Sequence, residues 1–383
     1  MARSIRLHRL RWVMCSSTAV SEQRSPIPGK HWPFLKTLCC TAGVLFFGIR
    51  IAPSIRVKSW RRVMDYRSSP ITLGILDTGF ITPGKSAHEI LTETWYCVQK
   101  AEAAGYTRYW LSEHHDTHYA WTRPALVIPY LGSATSHIRL GTAAILLGLY
   151  PALQIAEDYR VLEAIFPGRI DYGICSASPA SDTMRHALVN GEKLTMAEIS
   201  QRFEPKLKEL HSYLHNEFAE NDIFCKGATP VIKPGNTTWV MGTGKNSALL
   251  AAKNSCAFSY SLFHRFSLQD AEVPLAYGSS FLPGIGRTQA LSNIAISVIC
   301  AATHAEAMAQ KEWIESVQSD FQINVFGDAQ SCALQIAALC AKFKTTEVVV
   351  FMMWHLFEKK LAAIDLLAKA MNNQQINRSA VFA

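Results

Sequence analysis

From Ile71 onward, short apolar runs alternate with stretches of helical spacing, and most of the apolar runs end on small or polar residues. The runs at 71–76, 108–112, 139–146, 169–175, 237–241, 256–263, 293–301 and 347–353 have strand length and are rich in β-branched and aromatic residues. Between them, 86–104, 124–135, 304–319, 328–343 and 355–371 read as helices. In the first of these, Ile90, Leu91, Thr94, Trp95, Val98 and Ala101 share one face, and Gly105 fits a C-terminal stop. Pro124 and Pro151 open helices, where a missing N–H is tolerated. Eight strands in this rhythm predict an α/β fold, a (β/α)8 TIM barrel, whose chemistry gathers at the C-terminal ends of its strands. Two stretches interrupt the rhythm. Residues 181–234 are charged, with a helical pattern over 192–218, and 264–292 hold Pro274, Gly278, Pro283, Gly284 and Gly286, which predicts a long loop over the barrel mouth.

Three strand ends carry the most information. Trp110-Leu111-Ser112-Glu113-His114-His115 places a carboxylate and two imidazoles where the second apolar run stops. Glu113 can accept a hydrogen bond from a ligand N–H, and His114 or His115 can exchange a proton near neutral pH, the other bonding backbone. Gly141-Thr142-Ala143-Ala144-Ile145 and Arg169-Ile170-Asp171-Tyr172-Gly173-Ile174-Cys175 follow the same grammar, so Glu113, His114, Ala143, Ala144 and Cys175 should surround one mouth. A metal is disfavoured, because adjacent strand residues point to opposite sides and no Glu-x-x-His or His-x-x-x-His partner is near. Gly242-Thr243-Gly244-Lys245-Asn246-Ser247 joins a strand to a helix, where N–H groups and the hydroxyls of Thr243 and Ser247 suit a phosphate. It fails as a dinucleotide fingerprint twice: Ser247 replaces the third glycine, and no acid follows about twenty residues on.

Charge changes the picture only at the N terminus. The chain of 383 residues carries a net +8, but residues 1–63 hold twelve Lys/Arg against one acid, Glu22, for +11; the other 26 Lys/Arg and 29 Asp/Glu give −3. The basic total therefore argues for neither nucleic acid nor membrane as a partner of the barrel. The apolar run 38–49, twelve residues long, is too short to span a bilayer. Residues 1–63 read as an extension outside the core: a transit peptide, a poor signal or anchor, or a segment upstream of a start at Met64. Residues 64–383 form the barrel domain in this reading. The ten cysteines show no Cys-x-x-Cys and no zinc grouping, which points to reduced thiols and a cytoplasmic setting.

In combination and order, Leu111-Ser112-Glu113-His114-His115, Gly141 to Ile145, Pro167 to Cys175, the turn at 242–247 and Ile323-Asn324-Val325-Phe326-Gly327 resemble the bacterial luciferase-like flavin monooxygenases, over residues 71 to about 370. The resemblance implies a barrel that takes reduced FMN from a separate flavin reductase and uses O2 to oxygenate an organic substrate. It implies His114 as the catalytic histidine beside the substrate and Glu113 at the flavin. It further implies a cis peptide at Ala143-Ala144 against the flavin ring, Cys175 beside it, and Thr243, Gly244 and Ser247 in the phosphate turn. Related barrels use the deazaflavin F420 for hydride transfer, pair as dimers through their early helices, or act as non-catalytic flavin-binding subunits. One departure stands out: Ser176 occupies the position where many relatives carry an arginine for the FMN phosphate.

A chain beginning at Met64 is expected to fold without the extension. Its thermal unfolding should be cooperative and close to the full-length midpoint; failure to fold would return the extension to the core.

Overall fold

The computed structural model describes residues 69–176, 181–218, 229–230, 237–317 and 320–382. The expectation of a separate 1–63 extension lies outside the described residues. The barrel belongs to the unit Arg62–Ala383. Its elements are β1 (Thr72–Asp77), α1 (Ala87–Ala103), β2 (Arg108–Leu111), α2 (Pro124–Gly132), β3 (Arg139–Thr142), β4 (Ile145–Leu146), α3 (Ala152–Ile165) and β5 (Ile170–Cys175). There follow α4 (Asp182–Leu188), α5 (Met196–His215), β6 (Thr237–Gly242), α6 (Lys245–Lys253), β7 (Ala257–Ser261), α7 (Glu272–Ser280) and β8 (Ser292–Ala301). The chain then forms α8 (His304–Val317), β9 (Val325–Asp328), α9 (Ala329–Phe343), β10 (Glu347–Met352) and α10 (Phe357–Phe382).

All strand pairs are parallel, and β1, β2, β3, β5, β6, β7, β8 and β10 close on themselves through the β10–β8 ladder, forming a (β/α)8 barrel. The short β4 and β9 pair beside β5 and β8. Several helices start where the sequence supplies partners for orphan N–H groups. Ser86 and Glu89 form a reciprocal capping box at α1, Thr195 and Glu198 another at α5, and Asp328 caps α9.

The N-terminal end of the barrel is held by buried charge. Arg108, at the start of β2, donates to Asp171 on β5 and is ion-paired with Glu347 on β10 at 2.6 Å. Asp171 also accepts from Trp110 Nε1 at 2.9 Å and from Arg139 Nη2 at 2.7 Å. The Arg108 guanidinium lies 5.1 Å from the Trp110 ring and 4.9 Å from Trp239 on β6. Gly74 on β1 makes room for this: a Cβ there would stand 2.4 Å from Arg108 Cγ. On the outer side, Asp77 accepts from Tyr109 at 2.5 Å and from Lys360 Nζ at 2.7 Å, which fastens α10 to the sheet.

Four expectations change. The run 139–146 is two strands, β3 and β4, broken at Ala143-Ala144. The region 264–292 is not one long loop over the mouth: its start, with His264 and Phe266, lines the cavity, and the rest folds back as helix and turn. It contains α7, whose Tyr277 donates to Cys256 O and accepts from Leu291 N, and Leu282 N returns to Ala252 O at the end of α6 away from the mouth. Pro274 falls in the first turn of α7, where its missing N–H has no intrahelical partner to lose, so the proline did not mark a loop. The stretch around 320–328 adds a short strand outside the barrel's eight, β9, which pairs with β8. The last helix does not stop near 371 as its predicted range has it, but runs on as α10 to Phe382.

Burial raises the Asp171 carboxyl, but Arg108 and Arg139 outweigh it and hold it below the ordinary range. Its contribution is therefore present above about pH 4 and lost as pH falls through the lowered folded value. Asp171→Ala leaves the buried Arg108 guanidinium, and the partly buried Arg139, short of a partner and should cost about 3 kcal/mol or more by urea denaturation at pH 7; an unchanged midpoint would contradict this.

Candidate active site

The end of β2 is clamped before it reaches the cavity. Trp121 Nε1 donates to Ser112 O at 2.9 Å, and the buried Glu113 carboxylate accepts from Tyr150 at 2.6 Å and from Leu146 N at 3.2 Å. His115 Nε2 lies 2.8 Å from Glu113 Oε1 and 3.1 Å from the Tyr150 oxygen. The two histidines thus separate by the alternation of neighbouring residues. His115 braces Glu113, while His114 lines the cavity and stacks on Tyr119, with centroids 4.1 Å apart and planes at 12°.

The neighbouring strand ends complete the wall. The Ala143-Ala144 peptide is cis, as the resemblance implied, and Ala143 N is tied to Leu111 O at 2.7 Å. Cys175 closes β5 beside Leu146. At the end of β6, a Cβ on Gly242 would meet Ser247 Oγ at 1.9 Å, so only glycine fits under the turn. Ser247 donates to Gly244 O at 2.8 Å, and among the described residues no side chain caps the N terminus of α6.

A cavity of about 270 Å³ brings together Glu113, His114, Ala143, Ala144, Cys175, Thr243 and Ser247. Gly244 lies outside it, on a second cavity of about 520 Å³ lined also by Lys245 and Asn246. The two share Ser176, Met241, Thr243 and Ser247, so they run together past the start of α6. Phe263, His264, Phe266 and Phe321 on the far wall were not singled out from the sequence. The signal was available, since the run 256–263 leads into Phe-His much as 108–112 leads into Glu-His. No cluster of three potential metal ligands occurs among the described residues.

The luciferase-like monooxygenase family matches this chain over residues 71–338. The chain belongs to that family. It is similar to the protein YwcH of Bacillus subtilis, 28% identical over 334 residues, 78% of this chain and 99% of that protein. It is also similar to the N-acetyl-S-alkylcysteine monooxygenase of Bacillus subtilis, 30% identical over 258 residues, 65% of this chain and 75% of that one. The oxygenase component of the flavin-dependent trigonelline monooxygenase of Acinetobacter baylyi is 27% identical over 185 residues, 47% of this chain and 50% of its own. Among solved structures, apo-MsnO8 superposes with a TM-score of 0.70 at 24% identity, covering 79% of this chain and 98% of that one. The oxygenating constituent of 3,6-diketocamphane monooxygenase from Pseudomonas putida, in complex with FMN, gives 0.60 at 16%, covering 79% and 98%. An F420-dependent secondary alcohol dehydrogenase gives 0.56 at 12%, with the same coverage. These likenesses of structure speak for the fold.

In this luciferase-like barrel the cavity imidazoles are neutral near pH 7. Burial, then the neighbouring His264 and His115, lowers His114 to about 4, and burial lowers His264 to about 4. Burial and the Glu113 carboxylate push the Cys175 thiol up to about 12, so it stays protonated. Both histidines should remain unprotonated through the ordinary histidine range. The His114 ring resonances, followed by NMR against a His114→Gln control, should hold steady from pH 8 to about 5.5 and move only near pH 4. A midpoint near 6.5 would contradict the buried, neutral ring.

Proposed function

We propose that this family member is a flavin-dependent monooxygenase that takes reduced FMN as a diffusing substrate and uses O2 to oxygenate an organic molecule. The observation that carries the reading is the continuous passage from the Glu113, His114 and Cys175 wall to the uncapped start of α6. A flat ring system suits the first cavity, and an anionic tail suits the second, where backbone N–H groups and Lys245 meet it. Reduced FMN, when bound, supplies the electrons that activate O2.

In this reading the chain's residues have separate tasks. Ala143, Ala144 and Cys175 form the wall against the ring, with Glu113 held beside it by Tyr150 and His115. Thr243, Gly244, Ser247 and the first N–H groups of α6 hold the phosphate. His114, neutral and without a hydrogen-bond partner among the described residues, accepts or returns a proton at its ring nitrogen beside the substrate. The oxygenase-component relative supports a separate flavin reductase as partner. We take 64–383 as the catalytic domain and infer a cytoplasmic setting from cysteine usage; no helix of the described residues is long and apolar enough to cross a membrane. F420-dependent hydride transfer is the second reading, kept open by Ser176 where many relatives carry an arginine.

His114→Ala should lower oxygenation by about 10²–10⁴-fold while FMN affinity holds, in single-turnover assays on whichever substrate is found; wild-type turnover would move the proton role elsewhere.

The missing arginine predicts weak flavin retention. The protein should purify colourless, consume no NADH unless a reductase is added, and bind FMN about ten- to a hundredfold more tightly as Ser176→Arg. Tighter binding of F420 than of FMN in the same titration would favour hydride transfer.

A further inference from the structure

Two histidines face each other across the mouth. The closed order of strands places β2 and β7 four pairings apart in either direction, so they stand on opposite walls. His114 follows β2 and His264 follows β7, yet both line the same cavity, near enough that His264 bears on the charge of His114. His264 is presented on a held segment. It forms an antiparallel bridge with Phe321, Gln322 N donates to Phe263 O at 2.8 Å, and Gln322 Nε2 donates to His264 O at 3.1 Å.

The far wall has unspent polar groups in an aromatic setting. The His264 ring stacks on Phe266 with centroids 5.1 Å apart at 17°, and Phe263 and Phe321 lie at 4.5 and 5.7 Å. Its ring nitrogens have no hydrogen-bond partner among the described residues. Ser261, the last residue of β7, adds a hydroxyl that is buried on the same cavity and has no partner either. Charge is nearly absent from the wall. Glu113 is the one carboxylate among the described lining residues, its oxygens already engaged, and no lysine or arginine stands with it.

We propose that His264 and Ser261 are specificity-determining residues for the molecule oxygenated here, and that this molecule is an uncharged aromatic compound carrying a hydroxyl or carbonyl oxygen. The proposal rests on the flavin reading above, which draws its residues from the ends of β2 to β6 and leaves the β7 wall to the substrate. An aromatic ring gains from stacking against Phe263, Phe266 and Phe321. Its oxygen satisfies the Ser261 hydroxyl and a His264 nitrogen, which otherwise stay buried and unpaired. An anion would enter without a counter-ion and lose its hydration.

The test is a calorimetric titration of the full chain with 2-naphthol and with its anionic counterpart 2-naphthoate, repeated in His264→Phe and Ser261→Ala. FMN is titrated separately into all three proteins. The expected result is 2-naphthol binding at least about tenfold more tightly than 2-naphthoate, with each substitution weakening 2-naphthol by about threefold to tenfold and FMN affinity within about twofold of the parent. His264→Phe keeps a ring on the same segment, so a loss there reports the hydrogen bond rather than the fold. Equal or tighter binding of 2-naphthoate, or 2-naphthol affinity untouched by both substitutions, would overturn the proposal. So would loss of 2-naphthol binding on saturation with FMN, since the two are assigned different walls. The expected naphthol preferences in a protein that does not bind FMN would support the wall assignment while refuting the flavin reading.

Discussion

The buried Arg108 guanidinium organises the barrel. Four strands meet on it: β2 carries it, β5 pairs with it through Asp171, β10 through Glu347, and β6 stacks Trp239 against it. A charge this deep is tolerable only because Asp171 and Glu347 neutralise it and two indole faces surround it. The same residue dictates its neighbours, since Gly74 must stay small beside it. With one end of the barrel filled in this way, the other end is free to open as a cavity.

At the open end Glu113 plays a comparable part on a smaller scale. Its carboxylate joins the end of β2 to Leu146 on β4 and to Tyr150 beyond it, and the clamp leaves His114 as the residue that turns inward. The break between β3 and β4 falls within this clamp, so Ala143 and Ala144 form cavity wall rather than sheet interior. The chemistry therefore depends on two polar anchors at opposite ends of one barrel, each of which fixes a strand end by satisfying a buried charge. Neutral imidazoles on two facing walls follow from the burial that this packing produces.

Much of this was legible in the chain. Strand ends of small and polar residues marked the mouth, and the cradle between Glu113 and Ser247 came from their spacing and from the family likeness, because those signals are local. What escaped was set by tertiary contact. Pro274 reads as a breaker, yet in the first turn of a helix it removes no bond, so α7 was hidden. The residues alone left His114 and His115 open and only the family likeness chose His114; Tyr150 beside His115 supplies the physical difference between them. The β7 wall was missed because Phe263, His264 and Phe266 gain meaning only from Phe321, which lies more than fifty residues further along the chain and is joined to them by a single bridge.

The most direct test of the account is a crystal structure of the protein soaked with FMN. It should place the phosphate on the backbone N–H groups of Lys245 to Ser247, and the ring system against Ala143, Ala144 and Cys175, with the β7 wall left clear. FMN bound elsewhere, or a phosphate that avoids the start of α6, would contradict it.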